Sequence, residues 1–66
     1  MEPKYPEVVV PLVGRDGNAG AIMGRVAEAL RKHGVPREEI DQYRMESMSG
    51  DYENLLQTCM RWVTVE

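Results

Sequence analysis

The sequence predicts an α+β fold: a small βαααβ domain whose short two-stranded sheet is extended or covered by homo-oligomerisation. Three observations carry this. A β-branched run, Val8-Val9-Val10-Pro11-Leu12-Val13, reads as an opening strand over residues 7–13. Three stretches between residues 18 and 61 repeat their apolar residues at helical spacing. The closing Trp62-Val63-Thr64-Val65 alternates large apolar and β-branched residues, as a short strand does. The chain has 66 residues, so residues 1–66 are read as a single domain.

Residues 1–6 form an extended N-terminal arm, because Pro3 and Pro6 both oppose helix. In the opening strand Val8, Val10 and Leu12 share one face and Val9 and Val13 the other, so two covers are needed. Pro11 cannot donate a ladder hydrogen bond and marks an edge or a bulge. The first helix begins at Asn18 or Ala19 and ends at His33, with Gly34 as its stop. Ile22, Met23, Val26, Ala29 and Leu30 face inward; Glu28, Arg31 and Lys32 face water. Gly20 and Gly24 lie one turn apart, which admits a close backbone or ligand approach as well as plain helix–strand packing. Pro36, Glu38 and Glu39 open a second helix that ends near Met48 and turns Ile40 and Tyr43 inward. Ser49-Gly50-Asp51 breaks the chain and caps a third helix, residues 51–61, amphipathic through Tyr52, Leu55, Leu56, Cys59 and Met60. Trp62 starts the closing strand.

A domain this small buries only about 60% of its unfolded surface, and small cores usually need outside support. With one cysteine, Cys59, and one histidine, His33, neither an internal disulfide nor a zinc site supplies it. A homo-oligomer, dimer or tetramer, is therefore expected, the open strand edges joining between subunits. A net charge of −3 argues against DNA, RNA or anionic membrane as partner. No signal-peptide core or membrane-length apolar run is visible, so a cytoplasmic location is expected, in the host cytoplasm if the chain is phage-encoded.

No nucleophile–base pair, no P-loop and no dinucleotide fingerprint is visible, so no catalytic residue, no metal site, no cofactor and no enzyme activity are expected. His33 reads as dipole-compatible surface and Cys59 as buried filler. The glycine-rich turn before the first helix offers better material for binding. Unpaired N–H groups and the positive helix end suit a phosphate or carboxylate, although the same residues also serve a turn and a cap. Arg15 can neutralise a phosphate there, and Asp16 and Asn18 can cap the helix or read base edges. Gly17 and Ala19 let a ligand approach the backbone. Tyr43 and Tyr52 are candidate stacking platforms for a base, with core packing as the alternative, whereas Trp62 is the strongest core candidate.

Gly14-x-Asp16-Gly17-Asn18-Ala19, Ile22-x-Gly24-x-Val26-x-x-Ala29-Leu30, Ser49-Gly50-Asp51-Tyr52-x-x-Leu55-Leu56 and Trp62-Val63 together resemble a family of very short phage and bacterial proteins. The likeness covers residues 7–65 and is to phage anti-defence sponge proteins of the anti-CBASS or anti-Thoeris type, which oligomerise and sequester cyclic-nucleotide immune signals. It implies a non-enzymatic nucleotide-binding protein with a ligand site shared between subunits. The alternative expectation is a small protein–protein adaptor without a nucleotide ligand.

Overall fold

A computed structural model describes residues 2–11 and 18–66. Its element order is β1 (Tyr5–Val10), α1 (Ala19–His33), α2 (Arg37–Ser47), α3 (Tyr52–Trp62) and β2 (Val63–Val65). The βαααβ order is thus the observed one. Leu12 and Val13, the expected end of the first strand, lie outside the described residues, as do Gly14, Arg15, Asp16 and Gly17.

The two strands pair in parallel, with Tyr5 opposite Val63, Val9 opposite Thr64 and Val10 opposite Val65. The ladder is irregular between Tyr5 and Val9, next to Pro6, which has no N–H to give. β1 starts at Tyr5, earlier than the composition of residues 1–6 suggested. Lys4 N–H donates to the Arg61 carbonyl at 2.8 Å, and Thr64 Oγ1 donates to the Pro6 carbonyl at 2.7 Å. These contacts draw the proline-bearing segment onto the sheet despite its low strand propensity. Pro11 directly follows Val10, the last residue of β1.

Each helix is delimited by identifiable chemistry. Asn18 caps α1, its Oδ1 accepting from the N–H groups of Gly20 at 2.9 Å and Ala21 at 3.2 Å. Gly34 ends it at φ +97°, the left-handed conformation that glycine takes without strain, and Val35 N–H reaches back to the Leu30 carbonyl at 3.1 Å. Pro36 stands just before α2, with Glu38 and Glu39 in the first turn at the positive helix end. Asp51 Oδ1 caps α3 by accepting from Asn54 N–H at 3.0 Å.

α3 corrects two expectations. Trp62 is its last residue and does not open β2. The buried face runs through Leu55, Thr58, Cys59 and Trp62, whereas Tyr52 and Met60 are 46% and 50% exposed. Thr58 enters the core because its hydroxyl is satisfied internally, donating to the Asn54 carbonyl at 2.8 Å. The core then assembles Val8 and Val10 from β1, Val26 and Leu30 from α1, Tyr43 from α2, and Trp62 and Val63. Val9, on the opposite face of β1, is 48% exposed. Among the described residues the strand receives only one of the two covers its apolar faces require.

The N-terminal segment closes over Trp62. The Tyr5 ring stacks on it at 6.2 Å between centroids, and Lys4 Nζ sits 4.6 Å from its centre. Trp62 Nε1 donates to Glu46 Oε1 at 3.1 Å. Glu39 accepts from the Tyr5 hydroxyl and pairs with Lys4 at 3.1 Å, so the Tyr5 hydrogen bond, then Lys4, holds its carboxyl below the usual range.

Candidate functional site

The starts of α1 and α3 meet at one pole of the molecule. Between them lies an open cavity of about 310 Å³, lined by Ala19, Ser47, Met48, Asp51, Tyr52 and Leu55. Its rim is apolar and accessible: Tyr52 is 46% and Met48 65% exposed. The floor is fixed by the turn between α2 and α3. Asn54 Nδ2 donates to the Glu46 carbonyl at 2.9 Å, tying the last turn of α2 to the first of α3. Gly50 is required here by space, since a Cβ on it would lie 2.9 Å from the Asn54 Cβ.

Two helix N-termini bring two positive dipole ends to this cavity. Each already holds a side-chain acceptor, Asn18 Oδ1 on α1 and Asp51 Oδ1 on α3. The Gly20 and Ala21 N–H groups are therefore engaged by the cap. An incoming anion would have to share or displace it.

The structure brings Ala19 and Tyr52 into one cavity, with Asn18 adjoining at the cap. Arg15, Asp16 and Gly17 fall outside the described residues. Tyr43 does not join the site, which corrects its reading as a platform. It is 0% exposed, meets Trp62 edge-to-face at 5.9 Å, and places its hydroxyl 3.3 Å from Cys59 Sγ. Burial pushes the Tyr43 phenol well above its ordinary range. No face of this ring is open to a base.

The remaining candidates for chemistry are accounted for. Cys59 is a free, buried cysteine whose thiol burial pushes above its ordinary pKa, away from the thiolate form. His33 Nε2 lies 3.0 Å from Glu7 Oε1 and packs edge-on against Tyr5, pinning the end of α1 to β1. Among the described residues, no group of three His, Cys, Asp or Glu is placed to hold a metal ion, and no helix is long and apolar enough to cross a membrane.

A second concavity went unread in the sequence. A groove of about 500 Å³ runs between β1 and α1, from Val9 and Pro11 on the strand to Ala21, Arg25, Ala29 and Lys32 on the helix. Arg25 Nη1 is buried there without a hydrogen-bond partner. The signal was available: 21, 25, 28/29 and 32 follow helical spacing on a side of α1 adjoining its core face.

In comparisons with protein-family models, curated proteins and solved structures, nothing matches this chain.

Proposed function

We propose that this chain is a non-enzymatic, homo-oligomeric nucleotide-binding protein that sequesters a cyclic-nucleotide immune signal. The observation that carries the reading is the half-exposed Tyr52 ring on the same cavity as Ala19, where two helix N-termini converge. A nucleotide needs a flat apolar platform and a phosphate-compatible neighbour. Stacking on an aromatic ring contributes about 1–3 kcal/mol per base. In this reading Tyr52 stacks the base, with Met48 packing beside it. Arg15 neutralises a phosphate, the backbone at Gly17 and Ala19 admits it closely, and Asp16 and Asn18 meet base-edge donors and acceptors. The resemblance to the sponge family supports the same reading, with action in the cytoplasm, the host's if the chain is phage-encoded.

A thermal-shift screen against cyclic mononucleotides, cyclic dinucleotides and cyclic ADP-ribose isomers tests it. At least one ligand should raise the melting temperature and be recovered chemically unchanged after denaturation. No shift with any nucleotide defeats the reading in favour of an adaptor, and recovery of a converted product defeats it in favour of an enzyme.

A further inference from the structure

We propose that the face formed by the outer edge of β1 and the Arg25–Glu28 side of α1 is where two copies of this chain meet about a two-fold axis. The inference rests on the homo-oligomeric part of the proposed function and supplies its interface.

The backbone of β1 shows which edge is open. Lys4 N–H, the Pro6 carbonyl and the Val10 carbonyl all bond toward β2 and the end of α3. In the regular part of the ladder, next to Val10, alternation turns the N–H and C=O groups of Val9 to the other side. β1 has one sheet neighbour, β2, among the described residues, so that side is an unpaired edge. Exposed Val9 lies on it, and Pro11 limits its length. A second β1, running antiparallel, extends the pair of strands to a four-stranded sheet, past the three strands from which a sheet with an apolar face becomes independently stable.

The charges identify the occupant as another copy. Arg25 and Lys32 line the groove and form no ion pair among the described residues, while Glu28 beside them bonds Arg31 at 2.6 Å. The Arg25 Nη1 is enclosed and has no acceptor among the described residues, so the guanidinium carries its charge at the groove without a counter-ion of its own. When two α1 helices lie antiparallel with Arg25 opposite the partner copy's Glu28, the same register sets Gly24 opposite Ala29 and Ala21 opposite Lys32. Cations meet the carboxylate twice by symmetry, and small residues meet where backbones approach. Among the described residues a Cβ on Gly24 would touch nothing within 4 Å, so no contact there calls for a glycine. An interior glycine destabilises a helix relative to alanine, and close helix contact is a physical reason to keep it.

Sedimentation equilibrium of the full chain at micromolar concentration tests this, with far-UV circular dichroism as the check on folding. The wild-type chain should self-associate. Arg25→Glu and Glu28→Arg should each weaken association at least tenfold while remaining folded, and the double exchange should restore it. A monomeric wild type, single variants that associate as tightly as wild type, or a double exchange that stays monomeric would each overturn the inference. Nucleotide thermal shifts run on the same samples keep the two readings apart, because loss of this interface and loss of ligand binding are separate signals.

Discussion

Tyr43→Ala probes the core most sharply. The Tyr43 ring is fully enclosed, edge-on to Trp62 at 5.9 Å, with its hydroxyl 3.3 Å from Cys59 Sγ. Truncating a buried aromatic to alanine costs about 3–5 kcal/mol through lost transfer energy and the cavity left behind. At 0.05–0.15 kcal/mol per residue, a chain of 66 residues has roughly 3–10 kcal/mol in all. The substitution therefore removes much or all of the stability. Tyr43→Phe gives a graded version: it keeps the ring and deletes one hydroxyl–sulfur contact, with an expected cost of about 0.5–1.5 kcal/mol. Urea unfolding followed by circular dichroism reads both. A Tyr43→Ala chain within about 1 kcal/mol of wild type would refute the assignment of this ring to the core.

Three further outcomes follow from the same packing. Asn18→Ala, which removes the acceptor for Gly20 and Ala21 N–H, should cost about 1 kcal/mol in the same urea assay. Gly34→Ala, forced to hold φ +97°, should cost about 1–2 kcal/mol, with the loss visible as fraying of the end of α1 in amide exchange. Burial raises the Cys59 and Tyr43 pKa values in the fold, so the unfolded chain loses these protons first as pH rises. Their contribution is fully present below the unfolded cysteine value of about 8.5 and declines above it, by at most about 1.4 kcal/mol per pH unit for each group. Urea midpoints should therefore fall between about pH 8.5 and 10, and Cys59→Ala should flatten the earlier part of that decline.

The helix boundaries were legible because their ends carry strong local chemistry: Asn18 and Asp51 as caps, Gly34 as the left-handed stop, Pro36 before a first turn rich in acid. The closing strand was harder. Trp62 has strand-like neighbours, yet it completes the Leu55, Cys59, Trp62 helical row, and burial on that row decides its state. Reading Tyr52 and Met60 into the apolar stripe of α3 widened it beyond the buried row, while Leu55 and Cys59 of the same stripe are buried and Leu56 packs against the core. The true stripe includes Thr58, whose polarity masks it until its hydrogen bond to the helix backbone is seen. Parallel pairing of the strands has no local signature, since it follows from how three helices return the chain to β1. For the site, adjacency of Ala19 and Tyr52 depends on tertiary packing between residues far apart in sequence. The Arg25 groove was missed because a lone arginine on an amphipathic helix reads as a solvated side chain until its burial is known.

The most direct test of nucleotide binding is an amide chemical-shift map of the labelled chain titrated with the nucleotide that gives the largest thermal shift. The largest changes should cluster at residues 18–21 and 48–55, around the cavity shared by Ala19 and Tyr52, with residues of the buried core little moved. Changes confined to other surfaces, or none at saturating ligand, would contradict it.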